Sequence, residues 1–425
     1  MTKRRPATLM LIENSPYSQD GRVRRESQAL LREGWDVYVI CPRAKYQRRY
    51  MNFDGVHAYQ YTQREFGSGF VAYVVEYGYA MTMASLLSLW IWLRRGFQVV
   101  HAHNPPDFFV VIGLFYKLFG KKFIFDHHDL APDMYDVRFG ERARPTVAAV
   151  MRFFERLSCR IADQVIATNG SYRQVEIERC GISADKITIV RNGPEPRHFE
   201  RVAPHPFLAD RPEYVIGYVG EMGKQDGVDY LIRALGKLQT TRDDWYCVII
   251  GDGEMVESLE RLANDLGIGE RTSFVGRVSH ADVVPYLSGM DICTVPDPSN
   301  SYNDRCTMIK VMEYMAQSKP IIAFDLPETR YSAGESARYI VPNDEAKFAA
   351  ALSELMDDPS LRESMGKRGR DRAAAELAWE HAVPHLLSVY RRILPGAVTS
   401  LEPVGLAPRR RDKTAKRPAV SQLEK

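Results

Sequence analysis

The stretch Asn303-Asp304-Arg305-Cys306-Thr307-Met308-Ile309-Lys310-Val311-Met312-Glu313-Tyr314-Met315-Ala316, followed by Lys319-Pro320-Ile321-Ile322-Ala323-Phe324-Asp325, decides how this chain is read. Polar residues come first. Thr307 to Ser318 then reads as a helix with Met308, Val311, Met312 and Met315 on its apolar face, and Pro320 to Asp325 as a short buried strand. A helix that starts after a polar loop offers unpaired backbone N–H groups and the positive end of a dipole, which suits a phosphate. Glu313, about two turns along, is placed to meet the hydroxyls of a sugar attached to that phosphate.

The same rhythm extends outward. Strand-like runs at Ala7-Ile12, Trp35-Cys41, His57-Tyr61, Gln98-His101, Lys122-Asp126, Gln164-Ala167 and Ile187-Arg191 alternate with helical patterns. Pro194, Pro196, Pro204, Pro206 and Pro212 then interrupt the chain, and strand–helix alternation restarts at Tyr214. Strands that are apolar on both faces and separated by helices predict parallel sheets covered on both sides. The predicted fold class is therefore α/β, with two Rossmann-like domains facing each other across a cleft. The boundaries read as 1-203 for the first domain, 204-378 for the second, 379-395 for a closing helix and 396-425 for a disordered basic tail.

Bulk properties narrow the class. At 425 residues two domains are the natural expectation. The net charge is +3, but the tail from Gly396 holds seven Lys/Arg against three Asp/Glu, so the body is near −1 and is no nucleic-acid surface. Six scattered cysteines without a C-x-x-C pair predict buried thiols in a reducing compartment. The apolar run at the N-terminus is too short for a signal peptide, which predicts a cytoplasmic location. Phe70 to Leu93 is almost wholly apolar and closes on Arg94-Arg95. A buried helix, a helix at a membrane surface over 70-95 and a membrane span are the three readings of it.

The site pattern resembles the nucleotide-sugar site of the retaining glycosyltransferases of family 4, and the resemblance covers about Ala7 to Leu394. It implies the glycosyltransferase-B arrangement, with 1-203 as the acceptor-side domain, 204-378 as the nucleotide-sugar domain, and the helix over 379-395 crossing back to brace the first domain. It implies a nucleotide-diphosphate sugar as donor, UDP above all, and a glycan or lipid-linked acceptor. The cleft at the inner face of a plasma membrane would be the place of reaction. By resemblance, backbone N–H groups near Thr307, Met308 and Ile309 hold the diphosphate, Glu313 takes the ribose hydroxyls, and His128, in Phe125-Asp126-His127-His128-Asp129, lies near the donor sugar. The turn Gly276-Arg277 offers backbone groups to the base. Gly220 and Gly251 end strands where backbone approaches a ligand, although packing alone also asks for glycine there.

The chain departs from the family in two places. The earlier of two paired glutamates, eight residues before Glu313, is Arg305, and Asp304 supplies a carboxylate one residue early. Relatives carry a basic pair where Glu221 and Asp226 stand, which leaves Lys224, Arg305 and Lys310 to balance the diphosphate charge. No Asp-x-Asp occurs, so a metal-free, cofactor-free reaction is expected. Asp126-His127-His128-Asp129 is a weak metal motif, because neighbours in a strand point to opposite faces. His101 and His103 share a face, with His103 nearer the cleft, and one of the two reads as a packed core histidine. Two rivals keep the fold: a nucleotide-sugar epimerase, and a scaffold subunit without turnover. Neither half has G-x-G-x-x-G after its first strand, which argues against a dinucleotide dehydrogenase.

Overall fold

A computed structural model of the chain describes residues 5–64, 70–208, 211 and 214–396. The expectation of a disordered tail falls on 397–425, outside the described residues. The first half folds around an eight-stranded sheet built from β1 (Ala7–Leu11), β2 (Asp36–Pro42), β3 (Tyr50–Phe53), β4 (Val56–Tyr61), β5 (Val99–His103), β6 (Lys122–His127), β7 (Gln164–Ala167) and β8 (Ile187–Ile189). Their order is β3-β4-β2-β1-β5-β6-β7-β8. All pairs are parallel except the edge hairpin β3–β4, whose turn places Asp54 and Gly55 at positive φ. That geometry closes a tight antiparallel hairpin at low cost.

The second half carries a six-stranded parallel sheet: β9 (Tyr214–Val219), β10 (Trp245–Ile250), β11 (Thr272–Gly276), β12 (Ile292–Val295), β13 (Ile321–Phe324) and β14 (Ala337–Ile340), in the order β11-β10-β9-β12-β13-β14. The strand order of each sheet reverses between its first strand and the next parallel neighbour, which opens a crevice at the carboxyl ends of the strands. Both faces of both sheets are covered by apolar clusters. The two halves are thus doubly wound α/β units, as the apolar strand runs predicted.

Six helices cover the first sheet: α1 (Gly21–Arg32), α2 (Phe70–Arg94), α3 (Val110–Lys117), α4 (Ala131–Phe139), α5 (Pro145–Ile161) and α6 (Gly170–Glu178). The closing helix, Trp379–Ile393, crosses back to the first domain. Its Tyr390 packs edge-on against Trp35, with ring centres 4.9 Å apart, and its hydroxyl meets His101 Nδ1 at 2.9 Å. Trp379 donates its backbone N–H to Pro194 O at 3.0 Å, so the outgoing and returning segments touch.

α2 buries one face along its described length. Ala80, Ala84, Ser88 and Ile91 face the core, while Leu86, Trp90 and Leu93 are exposed. Among the described residues no helix is long and apolar enough to cross a membrane.

Gly251 shows what the glycines at the strand ends do. It sits at φ 140°, and a Cβ there would stand 1.7 Å from the Gly220 carbonyl oxygen. Backbone packs against backbone at this point. We expect Gly251→Ala to cost about 3 kcal/mol or more, since neither wall of the clash is a flexible side chain. A denaturant midpoint within error of wild type would refute this account of the turn.

Candidate functional site at the interdomain cleft

The site helix runs from Ile309 to Ala316, two residues shorter at each end than the sequence predicts. Asn303–Arg305 forms a 3-10 turn before it, and Met308 keeps an extended backbone. No side chain caps the helix, and Ile309 is exposed at its tip. The tip therefore keeps its capacity to bind an anion.

The loop leading into it is held by the first domain. Asn169 caps α6 through Oδ1, accepting from Tyr172 N at 2.8 Å. Its amide nitrogen donates to Arg305 O at 2.8 Å and to Thr307 Oγ1 at 2.9 Å. Arg305 reaches Asp133 Oδ1 of α4 at 3.1 Å, and Tyr302 donates to Asp129 Oδ1 at 3.3 Å. The polar loop thus bridges both domains. Sequence reasoning missed Asn169, although Thr168-Asn169-Gly170-Ser171 after a strand is an N-cap signal.

Glu313 lies on the side of the helix facing the first domain. Its side chain is 21% exposed, and Oε1 is 3.7 Å from His198 Nε2. Burial raises its pKa to about 7, against the pull of Arg25 and Arg197 and with a smaller push from Glu195. Asp304 accepts from Ser299 Oγ at 3.2 Å through Oδ2, while its buried Oδ1 has no protein partner.

Lys310 turns inward. Its ammonium meets Asp297 at 3.0 Å and Tyr218 Oη at 3.2 Å, so its charge is committed inside the second domain. Asp226 also turns into its own loop, accepting Gly223 N–H at 2.9 Å. Burial lifts Asp226 to about 7, with Lys310 opposing and Asp297 adding to the rise. The acidic residue that stands where relatives are basic is therefore balanced from behind. Lys224 and Arg277 are exposed, and Gly276 takes φ 78° at the end of β11.

On the first domain, Asn104 organises the histidine loop. Its Oδ1 accepts from His128 N at 2.8 Å and Asp129 N at 3.0 Å, and its Nδ2 donates to Asp129 O at 2.6 Å. The His128 ring is 15% exposed, with Nδ1 3.6 Å from Asp126. Burial disfavours the charged ring, yet Asp126 outweighs it and the pKa is raised. His127 points the other way, fully buried between Glu155 and Glu176. Removing the brace should free two amides. We expect Asn104→Ala to destabilise by about 2 kcal/mol and to lower turnover; unchanged thermal stability would show that the loop stands without it.

Beneath His128, Glu26, His101, His103 and Asp126 bring ligand-type atoms within 4.8 Å of one another, all buried. Arg22 lies among them, binding Asp126 with Nε at 2.7 Å and Nη2 at 2.9 Å and reaching Glu26 at 3.2 Å. The guanidinium already supplies the positive charge that a cation would bring, so the cluster fits a buried ion network better than a metal centre. Both histidines belong to it: His101 donates to or accepts from Tyr390, and His103 Nε2 meets Glu26 at 3.0 Å.

Comparison with known proteins converges on the same architecture. The family described as glycosyl transferases group 1 matches residues 203–372, and glycosyltransferase family 4 matches residues 22–197. The chain is 29% identical over 188 residues to the alpha-D-kanosaminyltransferase of Streptomyces kanamyceticus. That match covers 44% of this chain and 47% of that protein, about half its length. Sucrose-phosphate synthase from Thermosynechococcus elongatus superposes with a TM-score of 0.76 at 19% identity, covering 92% of this chain and 99% of that one. Anabaena HepE, solved with UDP-glucose, gives 0.67 at 14% identity over 91% and 99% of the two chains. At such identities the structural likeness speaks for the fold alone.

Proposed function

Because this chain belongs to the family 4 glycosyltransferases and has their glycosyltransferase-B fold, we propose that it transfers a sugar from a UDP-type donor to an acceptor hydroxyl, with retention at the anomeric carbon. The acceptor is a lipid-linked or surface glycan met at the cytoplasmic face of a membrane. The observation that carries this reading is the uncapped, exposed start of the helix Ile309–Ala316, with Glu313 one turn along it on the side of the first domain.

In this reading the diphosphate rests on the amides around Thr307 to Ile309, where the helix dipole favours negative charge. Glu313 accepts two ribose hydroxyls as a carboxylate, a stronger acceptor than a neutral group. Lys224 and Arg277 approach from the exposed rim of the second domain, and Asp304 offers its unpartnered oxygen to the donor sugar. His128, fixed by Asn104, bonds the sugar from the opposite wall. The diphosphate departs as the acceptor hydroxyl attacks on the same face, and a phosphate oxygen takes the acceptor proton. Charge stabilisation of the leaving group is the main catalytic term. HepE, solved with UDP-glucose, supports the choice of donor class.

The test is a calorimetric panel of UDP, GDP and ADP followed by donor hydrolysis and transfer with the matching sugar nucleotides, the anomer being read by NMR. Binding of UDP with transfer and retention is the expected result. Absence of binding to every nucleotide would overturn the reading, and accumulation of an epimer without transfer would replace it.

A further inference from the structure

A cavity of ≈ 960 Å³ opens in the first domain between α2, the loop after β5, α4 and α5. That volume is at the upper end for small-molecule sites. Its walls are Tyr77 and Met81 from α2, Phe108 from the loop, Tyr135 from α4, and Met151 and Phe154 from α5. Charge is confined to Asp107, which is tied to Asn104, and to Arg142 and Arg144 between α4 and α5.

Its position links it to the cleft. Pro105 and Pro106, which line it, follow Asn104, the residue that braces His128 and Asp129. Ala131, another lining residue, opens α4, and α4 also packs beside Lys224–Asp226 of the second domain. One wall therefore separates the apolar chamber from the donor side.

The outer surface around it is apolar as well. Trp92 of α2 packs on Phe119 just past α3 at 4.8 Å, and Phe108 packs on Phe154 of α5 at 4.6 Å, so the three helices form one layer. That layer leaves Leu93 73%, Leu118 77% and Phe153 58% exposed. Large apolar side chains exposed side by side on one layer suit a face that meets something other than water. Arg94, Arg156 and Arg160 are exposed on the same helices and complement an anionic surface.

We propose that the cavity takes the hydrocarbon chain of a membrane lipid acceptor, with Arg142 and Arg144 binding the phosphate that joins chain to glycan. The proposal rests on the transferase reading above and adds where the acceptor's tail is held. An isoprenoid phosphate drawn from the bilayer would place its tail in the chamber and its sugar hydroxyl at His128.

Gly78 provides the test. It lies in α2 on the cavity wall, and a Cβ there meets nothing within 4 Å. Gly78→Phe fills the chamber while removing a glycine from a helix interior, so the fold is kept. The full chain is titrated with geranyl phosphate, farnesyl phosphate, farnesol and UDP. Wild type should bind farnesyl phosphate at least tenfold more tightly than geranyl phosphate, since each buried methylene adds roughly fourfold. Gly78→Phe should weaken farnesyl phosphate at least tenfold and leave UDP binding unchanged. The double variant Arg142→Ala, Arg144→Ala should lose the preference for the phosphate over farnesol. If wild type binds UDP but not farnesyl phosphate, or if Gly78→Phe binds it normally, the cavity assignment is overturned and the transferase reading stands. A concentration-dependent dimer that farnesyl phosphate leaves intact would also overturn it, making the apolar face a contact between copies. Failure of UDP to bind would remove the premise as well.

Discussion

Glu313→Ala is expected to weaken donor binding by about a hundredfold, with the melting temperature nearly unchanged. A carboxylate holding two hydroxyls contributes about 3 kcal/mol through charge-assisted bonds, which is about two orders of magnitude in affinity. The fold does not depend on it, because its nearest ion-pair partner, His198 Nε2, stands 3.7 Å away and burial, which raises the carboxylate's pKa to about 7, disfavours the charged form. The sign of the pH effect follows. A carboxyl whose pKa is raised in the folded protein favours folding below that value and works against it as pH rises through the window from about 4.5 to about 7. Donor binding needs the ionised form and runs the other way, improving with pH over the same range. Donor affinity should fall about tenfold from pH 8 to pH 6 in the wild type, as the charged fraction drops. In Glu313→Gln that dependence should be flat. The groups facing Glu313 are Arg25, Arg197, His198 and Glu195, and the arginines keep their charge throughout. Calorimetry across pH decides the matter. Wild-type affinity in the alanine variant would remove Glu313 from the donor site.

The second large effect concerns stability. Arg22→Met leaves Asp126 and Glu26 buried without their counter-ion, and breaking such a pair costs about 3–5 kcal/mol. The guanidinium also donates to Val190 O at 3.1 Å and to Asn192 Oδ1 at 2.7 Å, so it ties α1 to β6 and to the exit of β8. The transition of the first domain should move down by roughly 10 °C. Arg22→Lys should recover only part of this, because an ammonium cannot reproduce the fork across both carboxylate oxygens. A loss below about 1 kcal/mol in scanning calorimetry would mean that the histidines compensate, and the network would lose its structural role.

Much of the architecture was legible in the chain, because apolar strand runs and the Pro-rich break at 194–212 are local signals. The site helix was legible too, two residues shorter at each end, its start delayed because Cys306 and Met308 stay extended before the first turn. The hairpin β3–β4 escaped, although Asp54-Gly55 is the dipeptide such a turn asks for. Helix α4 escaped because Pro132 reads as a breaker, whereas at the first turn it starts a helix.

Long-range pairings could not be read. Arg22 and Asp126 are 104 residues apart, and Asn169 meets Arg305 across 136. Nothing in either neighbourhood announces its partner. Lys310 is the instructive case: its charge suggested phosphate, and only the fold shows Asp297 beside it.

The chain passes between the domains twice, and the two passages press together where a Cβ on Gly193 would stand 1.9 Å from the Leu377 carbonyl oxygen. A side chain at position 193 would have to drive the outgoing and returning segments apart, because both walls of that contact are backbone.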